Sequence, residues 1–292
     1  AHFKNQLREL LTGYGKVGEV WFDGAGSEGH VYDWDGYYAL IRELQPQALI
    51  AICGPDIRWV GNEQGYAPET LWNVQERDGG KVWYPAECDV PIRKGQWFWH
   101  PNSEGNVKSL EELLDIYYGS VGRGAVLLLN VTPDDTGQLP EADVVRLREL
   151  WVVISDTFDE NLAAGQPATA SNVRGGDARF GADKAVDGNA DTYWSADDDV
   201  TTATLEVDLG APVSFNRLMM QEAIALGQRI EAYHVEVYVD GAWQEIVSGT
   251  TIGHKRLERI EPIAASKVRF VVDQALACPA ITQFGVYLAE KE

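Results

Sequence analysis

The sequence predicts a multidomain chain, a parallel β/α region followed by an antiparallel β-sandwich, and three observations carry that prediction. Through residues 1–159, short and near-continuous apolar runs alternate with stretches whose apolar residues recur at helical spacing, the pattern of parallel strands buried under helices. Residues 160–169 form a short polar and Ala/Gly/Pro-rich linker. From 170 to 292 the helical period gives way to period-two alternation, which marks the half-buried strands of a sandwich.

Each element follows from local pattern. Residues 17–22 read as a strand, 34–44 as a helix with apolar residues at helical spacing, and 48–53 as a buried strand, with Pro46 stopping the helix between them. A long loop rich in Gly and Asn occupies 54–80. Strand signals return at 82–88 and around Trp97, a helix is expected at 109–121, and 125–131 is a continuous apolar strand. The last helix of the region spans 140–159, with Pro140 at an early position and Glu141 and Asp143 in its first turn. In the second region the alternating runs are 203–209, 233–239, 266–272 and 282–288.

Composition bounds the function. A chain of 292 residues with 45% hydrophobic and 10% aromatic content has ample material for packed cores. Its 45 acidic against 24 basic residues give a net charge of -21, which repels phosphate backbones and anionic lipid, so neither nucleic acid nor a membrane surface is expected as a partner. No apolar run approaches the roughly 18 residues that span a bilayer. Cys53, Cys88 and Cys278 have no metal or redox spacing, and an odd number argues against a complete disulfide framework.

Asp23 is the first candidate for chemistry. It closes the run Gly18-Glu19-Val20-Trp21-Phe22 and is followed by a Gly24-Ala25-Gly26 turn. In a βα-barrel the carboxyl ends of the strands build the active site, so an acid at a strand's last position points into that mouth; the alternative is an Asp that merely starts a turn. Other acids occupy the same region: Asp56, Glu63 and Glu69 in the long loop, and Glu87 and Asp89 after the strand at 82–85. Spacing does not choose among them.

A family likeness does. Trp21-Phe22-Asp23-Gly24-Ala25, with His2-Phe3-Lys4-Asn5-Gln6-Leu7 before it and Tyr32-Asp33-Trp34 after it, resembles the nucleophile region of family 29 α-L-fucosidases. Gly54-Pro55-Asp56-Ile57-Arg58-Trp59-Val60-Gly61-Asn62-Glu63 is similar to the acid/base loop of the branch that cleaves α-1,3 and α-1,4 fucose, and Trp97-Phe98-Trp99-His100-Pro101 with Ser109-Leu110-Glu111-Glu112 continues the match. The family has substantial sequence before the nucleophile strand. The resemblance therefore implies the second half of a (β/α)8 barrel, a fragment of a parent expected to be secreted or periplasmic.

The resemblance also implies a mechanism. Retaining hydrolysis needs one carboxylate to attack the anomeric carbon and a second carboxyl group, about 5–5.5 Å away, to protonate the departing oxygen. Asp23 takes the first role and Glu63 the second, with Trp59 and Tyr66 available to desolvate Glu63 so that it keeps its proton. Trp97, Trp99 and His100 are expected to contact the sugar, since C–H faces and the fucose methyl pack on indole and a His can bond a hydroxyl; strand aromatics can equally fill a barrel interior. Glu87 is a candidate for a hydroxyl of the sugar that carries the fucose. The substrate is a fucosylated oligosaccharide or glycoconjugate, and no metal or cofactor is expected for catalysis. The alternative is a non-catalytic glycan-binding protein that acts through its sandwich.

In the second region, Ala185-Val186-Asp187-Gly188-Asn189-Ala190-Asp191-Thr192-Tyr193-Trp194 resembles the signature of discoidin-like modules, the coagulation-factor type C group that includes family 32 carbohydrate-binding modules. There the segment wraps a structural calcium in oxygen ligands. Carried over, Asp187 and Thr192 offer side chains, and Lys184 and Asn189 offer main-chain carbonyls. Gln283 stands where the family usually closes the site with Glu, supplying an oxygen without the charge. An ion-free Asp-Gly turn is the competing reading.

Overall fold

The computed structural model describes residues 2–24, 28–77 and 79–290. They fall into two compact units: one of Ala1–Gly61 with Val74–Glu87, the other of Asn62–Asn73 with Cys88–Glu292.

The first unit opens with helix α1 (His2–Gly13), then β1 (Glu19–Phe22), α2 (Trp34–Leu44) and β2 (Leu49–Ile52). Helix α1 was not expected from the pattern. Its apolar face buries Leu7 and Leu11 against Phe22, Tyr37, Leu40, Ile41, Ala48 and Ile50, one core beneath the sheet. Strands β1 and β2 are parallel, with Glu19 opposite Leu49 and Phe22 opposite Ile52. Asp33 caps α2 by accepting the Gly36 N–H, and the buried Gln45 side chain donates to the carbonyls of Leu11 and Gly15, tying α1 to the end of α2.

The expected long loop contains more structure than its composition suggested. Strand β3 (Arg58–Trp59) pairs in parallel with the start of β6 (Ala86–Pro91), and β4 (Val74–Arg77) and β5 (Gly80–Trp83) form an antiparallel hairpin. The expected strand at 82–88 is broken at Tyr84-Pro85, ending β5 and starting β6.

In the second unit α3 (Leu110–Ser120), β7 (Val126–Asn130) and α4 (Glu141–Phe158) continue the β/α alternation. Ser109 caps α3 through a reciprocal bond pair with Glu112, satisfying two of the helix's orphan donors. Their core joins Val90, Ile92, Leu113, Leu114, Ile116 and Leu150. The strand expected around Trp97 is absent: 93–108 is a looped segment with one 3₁₀ turn at Glu104–Asn106 and positive φ at Gly95 and Asn102. Arg93 fastens it, with its guanidinium pairing Asp143 of α4 at 3.0 Å and donating to Ser103 Oγ at 2.5 Å.

The rest of this unit is antiparallel: β8 (Ala168–Ala170), β9 (Trp194–Ser195), β10 (Ala203–Glu222), β11 (Ile230–Val239), β12 (Ala242–Gly249), β13 (Arg256–Ala275) and β14 (Ala280–Tyr287). Their order is β12-β11-β13-β10-β14-β9, with β8 on β10. The runs expected at 203–209 and 266–272 are parts of two 20-residue strands. Register shifts at Asp208/Val213 and Phe215/Arg217 interrupt their pairing, the device by which one strand turns a sandwich corner. Inside lie Trp194, Leu205, Phe215, Leu218, Tyr233, Phe270 and Phe284, each under 2% exposed.

Candidate active site

Asp23 follows β1 directly and is exposed. Because Phe22 is in register with Ile52 in the parallel pair, Asp23 and Cys53 leave the sheet at the same carboxyl edge. The predicted turn behind Asp23 lies, past Gly24, outside the described residues. Ile52 has a φ of +67°, a conformation that costs a β-branched residue about 1–3 kcal/mol. Asp56 holds the bend, accepting the Ile50 N–H at 2.7 Å and pairing with Arg42 at 2.5 Å.

Glu63 sits, also exposed, in the segment Asn62–Asn73 of the other unit. Its Oε2 accepts the indole N–H of Trp97 at 3.1 Å. Trp97 is itself fixed, its carbonyl accepting from Asn130 Nδ2 at 3.0 Å and Thr132 Oγ1 at 3.1 Å at the carboxyl end of β7. Asn62 closes the turn around Glu63, donating to the Tyr66 carbonyl at 2.9 Å and accepting the Gln64 N–H at 3.0 Å. Tyr66, read as a desolvating neighbour of Glu63, turns its ring onto Gly119 of α3. Trp97 is an aromatic side chain that reaches Glu63 directly.

The competing acids have other work. Asp56 is engaged as above. Glu69 is ion-paired with Arg123 and with Arg256, the latter at 3.0 Å. Glu87 is 1% exposed and Asp89 is 4% exposed. Glu87 Oε1 accepts the Trp21 indole N–H at 2.7 Å, and burial pushes the carboxyl of Glu19 above its ordinary value while a hydrogen bond with Glu87 draws it back. From sequence, Glu19 and Trp21 take no role beyond the strand and the family motif. Their signal was present, since Glu19 and Trp21 lie two apart on β1 and so share a face, a period that carries on to Asp23 just past the strand's end.

Of the remaining predicted contacts, Trp59 ends β3 in the first unit and is 41% exposed. Trp99 is half-buried and His100 exposed in the 93–108 segment, where the His100 carbonyl accepts from Ser103 Oγ at 2.5 Å.

The calcium signature forms a compact oxygen cluster. Thr192 Oγ1 lies 2.9 and 2.8 Å from the two Asp187 carboxylate oxygens and 3.0 Å from the Asn189 carbonyl. Lys184 directs its ammonium to Asp183 at 2.8 Å. Gln283 lines the same hollow as Asn189, but its side chain is hydrogen-bonded to Tyr287. The donor set thus suits a hard cation at Asp187, Asn189 and Thr192, and fits less well at Gln283. Among the described residues no group of three or more His, Cys, Asp or Glu could hold a metal ion, and no helix is long and apolar enough to cross a membrane.

Parallel β/α units followed by an antiparallel sandwich place the chain in the class of β/α proteins that carry an accessory β-module. Within that class the chain belongs to the α-L-fucosidase family, whose model matches residues 1–154. The F5/8 type C domain, the discoidin-like type, matches residues 167–282. α-L-Fucosidase 1 of Arabidopsis thaliana is 39% identical, the match covering 98% of this chain and 61% of that protein. The structure of a Ruminococcus gnavus GH29 fucosidase in complex with fucose superposes with a TM-score of 0.88 at 31% identity, over 99% of this chain and 65% of the other. A glycoside hydrolase 29 family member from an unknown rumen bacterium gives 0.81 at 33% identity, over 100% of this chain and 54% of its own. The chain spans about three fifths of the length of the curated relatives it matches, 59% and 61%.

Proposed function

We propose that this chain is the part of a retaining exo-α-L-fucosidase that carries both acidic groups of the reaction. Asp23 attacks the anomeric carbon as the bond to the leaving oxygen breaks, and the Glu63 proton passes to that oxygen. The resulting fucosyl ester on Asp23 is opened by a water whose proton Glu63 takes back, so two inversions return the α configuration. The reading is carried by the family match over residues 1–154. It is further supported by the exposed position of Asp23 beyond β1, by the Trp97 bond that orients Glu63, and by the pairing or burial of the rival acids.

The substrate class is a fucosylated glycan, in keeping with the fucose held by the Ruminococcus gnavus relative. The linkage is of the α-1,3/1,4 type, a reading supported by the likeness of the block that ends on Glu63, with Trp59, Trp97, Trp99, His100 and Glu87 as sugar contacts. The discoidin-like module helps hold the glycan around a structural calcium at Asp187, Thr192 and the carbonyls of Lys184 and Asn189. The parent protein works outside the cytoplasm, secreted or periplasmic, in line with the family resemblance.

The test uses fucosides with good and poor leaving groups, on this chain and on one extended to the length of its relatives. Glu63→Ala is expected to lose about 10²–10⁴-fold on the poor leaving group, the usual worth of a general acid, and to regain turnover with azide, which needs no general base to attack the ester. An unchanged rate removes Glu63 from the mechanism. Glycan binding without turnover by the extended wild type favours a binding protein that acts through the sandwich.

A further inference from the structure

The segment that carries Glu63 groups with the chain that follows it, both α3, β7 and α4 and the C-terminal module, and not with the strands on either side of it: Asn62–Asn73 lies in one compact unit with Cys88–Glu292, and Ala1–Gly61 with Val74–Glu87 in the other. From the β/α side the Ala67 N–H donates to the Gly119 carbonyl at 2.8 Å and Asn73 Nδ2 to the Gly124 carbonyl at 2.8 Å, and module side chains add a set of bonds to the segment's backbone. Gln228 grips it from both sides, its Oε1 accepting the Asn73 N–H at 2.8 Å and its Nε2 donating to the Leu71 carbonyl at 2.7 Å. Thr251 Oγ1 accepts the Leu71 N–H at 2.9 Å. Arg256 donates to the Glu69 carbonyl at 3.1 Å and pairs with the Glu69 carboxylate at 3.0 Å. Thr250 meets Thr70 hydroxyl to hydroxyl at 2.8 Å.

These bonds are more than surface contacts. Gln228, Thr251 and Arg256 are 5%, 3% and 6% exposed, so water cannot replace a lost partner, and leaving a buried backbone donor unmet is costly. From the β/α side, Arg123 adds bonds to the Ala67 carbonyl and to Glu69. The carboxyl-terminal half of the segment is therefore clamped. Its amino-terminal turn, where Glu63 sits exposed, extends from that clamp and meets Trp97.

We infer that the discoidin-like module is a positioning device for the proton donor. Gln228 and Thr251 are positioning residues that fix the backbone from which Glu63 is presented, so the module is part of the catalytic apparatus and not only a glycan anchor. The inference rests on the reading of Glu63 as the acid. A general acid must lie within hydrogen-bond reach of the leaving oxygen, and small displacements of a reacting group cost large factors in rate.

The experiment uses the protein extended to full length. Thr251→Val keeps the side chain's shape and removes the acceptor, Thr251→Ser restores it, and Gln228→Ala removes both of its bonds. Thermal unfolding identifies folded variants, and the near-isosteric Thr251→Val stands if Gln228→Ala fails to fold. Amide exchange at Leu71 and Asn73 reads the clamp directly, and kcat/KM is measured on fucosides with a dinitrophenolate and with an alkoxide leaving group.

Faster exchange is expected in Thr251→Val and Gln228→Ala. So is a fall in kcat/KM of about tenfold or more on the alkoxide substrate and of no more than about twofold on the dinitrophenyl one, because only the poor leaving group needs a placed acid. Thr251→Ser should return both readouts towards wild type. If Glu63→Ala shows the leaving-group-dependent loss while Thr251→Val and Gln228→Ala lose equally on both substrates, or not at all, the clamp does not position the acid and the inference fails. If Glu63→Ala itself lacks that dependence, the acid assignment fails and the inference falls with it.

Discussion

At the scale of single residues, the seat of Tyr66 shows how packing overrides local preference. Gly119 lies inside α3, where exchanging Gly for Ala normally stabilises a helix by about 1 kcal/mol. Here a Cβ at Gly119 would run into the Tyr66 ring, and overpacking of a filled site costs about 1–3 kcal/mol. The steric effect wins. Gly119→Ala is therefore expected to lower stability by about 1–2 kcal/mol in chemical denaturation, with Tyr66 displaced from α3. A stabilised variant would show that the ring rotates away freely. Nearby Gly65 has a φ of +80°, and a Cβ there would come within 2.8 Å of Val90; two glycines thus seat the turn that presents Glu63. Asp23 could be singled out in the sequence because an acid ending an apolar strand is a local pattern. The partners of Glu63 could not. Its bond to Trp97 spans 34 residues, and no local period encodes it.

At the scale of elements, the oxygen cluster of the 183–192 loop invites a measurement. Only one of the three converging oxygen groups, Asp187, is a carboxylate, and calcium prefers six to eight oxygens, so affinity in the weak range of about 10⁻⁴–10⁻³ M is expected. Calcium at a hundredfold excess over its dissociation constant then stabilises the module by about 2.7 kcal/mol. The expected outcome is a calcium-dependent rise in the unfolding midpoint that Asp187→Asn removes and magnesium does not reproduce. Equal midpoints in chelator and in calcium would make the loop an ion-free turn.

The elements themselves were unequally legible. Helix α2 was legible from apolar spacing and α4 from its early proline and first-turn acids, and with α3 they lie within a residue of expectation. The buried run Phe215–Met220 inside β10, with Asn216 and Arg217 among its members, has no alternation to detect. Hairpin β11-β12 had a signal that went unread: Asp240 and Gly241 both take positive φ, 51° and 83°, as a two-residue hairpin turn requires. Trp97 had the composition of a strand. Its carbonyl is instead taken up by Asn130 and Thr132, and Gly95 and Asn102 bend the chain on either side.

At the scale of the whole molecule, the net charge of -21 and one buried carboxyl act on stability in the same direction. Glu222 is 3% exposed, and burial pushes its carboxyl up from 4.5 to about 7 despite bonds from the backbone N–H groups of Gly253, Arg229 and Ile230. The folded state therefore binds this proton more tightly than the unfolded chain. The stabilisation is fully present below about pH 4.5 and is lost as pH rises through about 7, a difference on the order of 3 kcal/mol. Easing of acidic self-repulsion as the pH falls adds to it. Opposing both, Asp33, Asp134, Asp177 and Asp197 have carboxyls held below their ordinary value by hydrogen bonds to side chains and backbone; their contribution is lost only as pH falls through those depressed values. His254, held below its ordinary value by burial, opposes Glu222 between about pH 5 and 8, since its protonation favours the unfolded chain; the larger Glu222 shift sets the slope, and the unfolding midpoint is expected to climb as the solution is acidified across that range. Glu222→Gln, which cannot ionise, should flatten the climb whatever it does to the midpoint at any one pH. A wild-type midpoint that instead falls steadily from pH 8 to about 5 would mean that the three backbone donors hold Glu222 ionised, outweighing its desolvation.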